Sequence, residues 1–158
     1  ELLPLTIPFL ASGLRVSELV NLKISDLDLN ENIGWVRKGK GSKDRIFSIS
    51  SFLSGEIKDY LNDKVNNIYL FSRDQPLTTR NIQKIIKGTR IRSNINKKVT
   101  PHTLRHCFAT HLLEQGTDIR LIQSLLGHAS LNTTQVYTHV STDQIKKIKN
   151  PLDNLITE

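Results

Sequence analysis

The chain has 158 residues, 37% of them hydrophobic, and a formal net charge of +7. That is enough for one domain around a single core, and the charge points to a polyanion, with nucleic acid ahead of an anionic membrane surface. No apolar run approaches the roughly 20 residues that span a bilayer, which excludes a helical membrane span.

Leu5 to Leu22 is mostly apolar with helical spacing, broken at Ser12-Gly13 into two pieces or a kink. Asp26 to Asn32 is polar and turn-like. Ile33 to Arg37 and Arg45 to Ile49 read as the strands of a hairpin around the glycine-bearing loop Lys38-Gly39-Lys40-Gly41-Ser42-Lys43-Asp44. A helix is predicted from Phe52 to Leu61, and a third short strand at Ile68-Tyr69-Leu70-Phe71. Thr78 or Thr79 caps a helix running to about Ile91. Thr100 caps the next helix, with Pro101 in its first turn, running to Gln115 and ended by Gly116. Asp118 caps a short helix to Leu126, which Gly127 ends. Ser130 starts another, carrying Tyr137, and Thr142 to Ile148 is a last basic helical segment. The sum is α+β: mainly helical with a small antiparallel hairpin or three-stranded sheet.

One cysteine, Cys107, rules out an internal disulfide and fits a reducing cytoplasm. It reads as a small buried hydrophobe. The first residues lack the features of a signal peptide. The chain has no Met, not even an initiating one, so it is expected to be a piece of something longer.

No acidic residue occurs between Asp74 and Glu114, an interval holding Arg80, Lys84, Lys87, Arg90, Arg92, Lys97, Lys98 and Arg105. A one-signed run with interspersed apolar residues is a footprint for nucleic acid. Within it, His102 and Arg105 stand three apart on one helix face. The arginine offers two oxygens of a phosphate a bidentate fork, and the imidazole exchanges a proton near neutrality. A surface helix that is merely basic is the bland alternative. Arg15 lies in an apolar neighbourhood, where a charge needs a partner or a purpose; Glu18 can hold it, as a structural ion pair or as part of a site. The lysines of the hairpin loop suit phosphate contact or protonation of a leaving oxygen, or else a solvated turn. His128 follows a helix end and is either a dipole-stabilised imidazole or a phosphate ligand. Tyr60 and Tyr69 read as half-buried packing residues. His102 and His106 are four apart, but no third ligand is evident, so no metal is expected.

Together these segments resemble the catalytic domain of the tyrosine recombinases, the phage integrase and Xer-like family. Gly13-Leu14-Arg15-Val16-Ser17-Glu18-Leu19 resembles the box around the family's first arginine, and Gly39-Lys40-Gly41-Ser42-Lys43-Asp44-Arg45 its hairpin lysine. His102-Thr103-Leu104-Arg105-His106 resembles the H-x-x-R box. Leu126-Gly127-His128 and Thr134-Gln135-Val136-Tyr137 resemble the third histidine and the nucleophile. The match runs in order from about Leu5 to Val140.

The resemblance implies a recombinase that cleaves and rejoins DNA through a 3′-phosphotyrosyl intermediate, with no metal, ATP or other cofactor. Tyr137 would attack the phosphate, Arg15 and Arg105 hold its non-bridging oxygens, Lys40 protonate the leaving 5′-oxygen, His102 take the tyrosine proton and His128 donate a hydrogen bond. Glu18 would orient the arginine box. Lys38, Lys43, Arg45, Arg80 and Lys84 are expected to contact DNA. The expected partners are double-stranded DNA bearing a specific site, three further copies in a tetramer on it, and an accessory activator. Residues 1–140 would form the catalytic domain, cut short at its N-terminus. Residues 141–158 would form a basic tail open to exchange between protomers, and the family's N-terminal DNA-clamping domain would lie outside this chain. A tyrosine-based topoisomerase, a non-catalytic basic DNA-binding module and an RNA-binding protein are the rival readings; the last lacks an aromatic stacking platform.

Overall fold

The structure, a computed structural model, describes residues 3–37, 44–127 and 142–156. The apolar N-terminal stretch folds as two helices, α1 (Leu3–Leu10) and α2 (Val16–Val20). They part at Gly13, whose φ of +85° is a conformation that favours glycine. A side chain there would also meet the Phe108 ring at 2.6 Å and Leu126 at 2.9 Å.

A one-turn 3-10 segment (Ile24–Asp26) leads into a three-stranded antiparallel sheet, β1 (Leu27–Asp28), β2 (Ile33–Val36) and β3 (Arg45–Ser48), in the order β1-β2-β3. The predicted hairpin is β2–β3, with Trp35 opposite Ile46 and Val36 opposite Arg45. The third strand is not Ile68–Phe71. It is the short β1, in the stretch read as a turn, pairing Leu27 with Gly34 and Asp28 with Ile33. Around Tyr69 only isolated bridges form, to Lys23 and Ser72.

Four helices follow, the last three with the expected caps. Ser50 accepts from the Leu53 N–H at the head of α3 (Ser51–Leu61), and Thr78 from Asn81 at the head of α4 (Thr79–Arg92). Thr100 and Thr103 satisfy each other's backbone N–H groups at the start of α5 (Pro101–Glu114), with Pro101 at the first helical position. Asp118 accepts from Arg120 to open α6 (Ile119–Leu126), which ends at Gly127 with φ +62°. The basic tail is two short helices, α7 (Thr142–Lys147) and α8 (Pro151–Ile156). They pack on the chain's own β3, α3 and α5, and Asp153 accepts hydrogen bonds from the N–H groups of Ser51 and Phe52 at the head of α3.

The larger apolar core joins α1, α2, β3, α3 and α4; Phe9 stands edge-on to Phe47 and Phe71 at ring separations of 6.3 and 6.1 Å. A smaller core of Phe108, Leu112, Ile122, Leu125, Leu126 and Ile145 binds α5, α6 and α7. The two meet at Gly13, so the turn that starts the first arginine box is pressed onto the end of α6. Cys107 is exposed, not buried as expected: α5 turns Arg105, Phe108 and Leu112 inward, and position 107 falls off that stripe. Among the described residues no helix is long and apolar enough to cross a membrane.

Candidate active site

The last carbonyls of a helix lack partners within it and carry the negative end of its dipole. At the end of α6 three arginines from three different elements meet them. Arg45 on β3 donates through Nη1 to the Leu125 carbonyl (2.5 Å), Arg105 on α5 through Nη2 to that of Leu126 (2.5 Å), and Arg15 at the head of α2 through Nη2 to that of Gly127 (3.0 Å). The second fork of Arg105 reaches back to the Gly13 carbonyl (2.5 Å). The two segments first picked out as separate boxes are thus bolted together by one buried guanidinium, 6% exposed.

A single carboxylate organises the rest. Glu18 accepts from Arg15 Nη1 at 2.9 Å and from the Arg15 backbone N–H at 2.7 Å, and Arg45 Nη2 reaches its second oxygen at 2.5 Å. Sequence spacing called for Arg15–Glu18, and the pair is present; the Arg45 branch was legible in no spacing. Two guanidiniums therefore share one carboxylate, and the third, Arg105, feels its field while bonding only carbonyls. Burial first, then the fields of Arg15 and Arg45, lower Arg105 from the usual arginine value to about 10, with Glu18 opposing. Burial lowers Arg45 as well, against the pull of Glu18. With three guanidiniums around one carboxylate, the cluster carries an excess of positive charge that an anion would neutralise. Arg15, its side chain 28% exposed, opens onto a groove of about 850 Å³ that is also lined by Lys23, Trp35 and Arg37.

His102 lies exposed in the first turn of α5, three residues from Arg105. Arg80 and Lys84 are exposed on α4, as a DNA contact requires. Beside them a second groove of about 510 Å³, lined by Lys87, Arg90, Lys98 and Thr100 among others, runs to the head of α5. Arg45, also expected at DNA, has a side chain 11% exposed and turned inward onto Glu18 and the Leu125 carbonyl. Lys38, Lys40, Lys43, His128 and Tyr137, with the helix expected from Ser130, lie outside the described residues. Arg45, two residues after Lys43, and Gly127, the residue before His128, both belong to the arginine cluster.

The sequence profile of the Phage integrase family matches residues 5–144. Tyrosine recombinase XerA of Thermococcus kodakarensis is 48% identical over 142 residues, covering 86% of this chain and 50% of that relative. Tyrosine recombinase XerD of Staphylococcus haemolyticus is 43% identical over 150 residues, covering 89% and 50%. The chain thus spans about half the length of the curated relatives it matches. Among solved structures, a crystal structure of XerA recombinase superposes with a TM-score of 0.73 at 43% identity, over 95% of this chain and 55% of the other. The XerH site-specific recombinase, bound to its difH substrate before cleavage, gives 0.69 at 32%, over 90% and 44%. With the four boxes in order and the family's profile spanning nearly the whole chain, this protein belongs to the phage integrase family.

Proposed function

We propose that this chain is the catalytic part of a site-specific DNA recombinase that cuts and rejoins strands through Tyr137. The observation that carries this is the arginine cluster: Arg15 and Arg105, fixed by α6 carbonyls and Glu18, form a preorganised cationic seat for a phosphodiester beside an exposed imidazole. In the step proposed, the Tyr137 oxygen forms a bond to phosphorus, and the bond to the 5′-oxygen breaks. The tyrosine proton passes to His102 and Lys40 gives one to the departing oxygen, while His128 hydrogen-bonds the phosphate. The bond energy stays in the phosphotyrosine, and a 5′-hydroxyl of the partner strand reverses the step. Arg15 and Arg105 stabilise the charge that grows on the non-bridging oxygens.

The recombination-site DNA bound by XerH supports a duplex with a specific site as substrate. Four copies on that DNA, an accessory activator, a catalytic unit of residues 1–140 with an exchangeable tail at 141–158, and action in the cytoplasm complete the reading.

Covalent capture tests it. The protein, expressed from its complete reading frame, is incubated with sheared, nicked host DNA, denatured, and assayed for protein-linked DNA beside Tyr137→Phe. An adduct that vanishes in the variant is expected. Equal DNA binding with no adduct from either protein would sink the cleavage reading in favour of a binding module.

A further inference from the structure

Arg45 has a more buried side chain than Arg15 and is joined to more of the site than its position at the start of a strand requires. One fork takes the Glu18 carboxylate that also holds Arg15, and the other takes the Leu125 carbonyl. Its Nε is buried with no partner among the described residues, and it lies against the Gly127 backbone, where a side chain would meet it at 2.6 Å. Gly127 is therefore constrained twice, by its positive φ and by this arginine. The strand that carries Arg45 also carries the end of the lysine loop.

We infer that Arg45 is a positioning residue for strand cleavage: it ties β3 to Glu18 and to the end of α6, so that Arg15 is held in register with Arg105 over the phosphate, and it does not itself touch DNA. A buried arginine of this kind is suited to the task. Its planar fork joins two acceptors in fixed directions, which a lysine cannot copy, and a misplacement of about 1 Å in such an array can cost on the order of 100-fold in rate.

The inference rests on the cleavage reading above, and the test separates the two. Arg45→Met fills the same slot without charge or fork. Cleavage of nicked site DNA is measured at saturating protein, with the salt dependence of binding alongside, on an ordinary phosphodiester and on a methylphosphonate at the scissile position. In the second linkage a methyl group replaces one non-bridging oxygen and removes the negative charge the arginines serve. Expected for Arg45→Met are unchanged affinity and salt slope, a loss of about 10- to 100-fold in cleavage of the phosphodiester, and a several-fold smaller loss on the methylphosphonate. Because Arg45 acts through Glu18, Glu18→Gln combined with Arg45→Met should lose little more than the worse single variant. If Arg45→Met does not fold, Arg45→Lys carries the same comparisons with a smaller loss.

A salt slope lowered by about one would make Arg45 a phosphate contact and overturn the inference. So would full cleavage by the variant, or an equal loss on both linkages, which would mark a purely structural residue. A wild type that forms no adduct overturns the cleavage reading and this inference with it.

Discussion

Arg15 and Arg105 are the residues on which the proposed chemistry turns, and they are held differently. Arg105 is enclosed, its two forks on carbonyls of Gly13 and Leu126, while Arg15 is partly open and leans on Glu18. In the proposed step both would donate to the phosphate, and removing one such donor typically lowers the rate by about 10²–10³. Arg15→Ala and Arg105→Ala should each lose cleavage on that scale while keeping most DNA affinity, measured by adduct formation and by equilibrium binding. If either variant cleaves like the wild type, its role is misassigned. The electrostatics give a second expectation. With Arg105 lowered to about 10, the folded chain binds fewer protons than the unfolded chain between that value and the ordinary one. Stability from this group therefore rises with pH through about 10. In urea titrations the wild type should gain on Arg105→Met as pH goes from 8 to 10.5, and a gap that is flat or moves the other way would contradict the assignment.

At the scale of elements, the end of α6 does the joining. It is a short helix whose last carbonyls are taken by arginines of α2, β3 and α5, so three segments far apart in the chain are gathered by one helix terminus. Gly127 makes this possible. Gly127→Ala would force a side chain into the left-handed region and against Arg45, at a cost of roughly 1–3 kcal/mol for the backbone alone. A lower urea midpoint together with slower cleavage is expected; slower cleavage at unchanged midpoint would argue that the turn relaxes freely.

For the molecule as a whole, α4 and the head of α5 line a groove that carries Lys87, Arg90 and Lys98. Arg80 and Lys84 are exposed on the same helix, α4, outside the hydrogen bonds that hold the site. Each substitution to Ala should weaken DNA binding almost uniformly across sequences and lower the salt slope by about one. A variant whose slope is unchanged would take that residue off the DNA path.

The caps at Thr78, Thr100 and Asp118, the stops at Gly116 and Gly127, and the hairpin were legible along the chain because each depends on neighbours within a few residues. So were the Arg15–Glu18 pair and the order of the four boxes, which suffice for the family. The third strand was misplaced because a two-residue strand has no period to read, and β1 exists only where β2 offers it partners. Cys107 was put inside for a related reason: residue type sets a preference, but burial depends on which face of an element meets another. What the sequence determined by itself was local geometry and the inventory of reactive groups. Which guanidinium is left partly open and which is enclosed was decided by the meeting of Gly13, β3 and the end of α6, contacts separated by 80 residues between Arg45 and Leu125 and by 112 between Arg15 and Gly127, a distance at which no spacing rule applies.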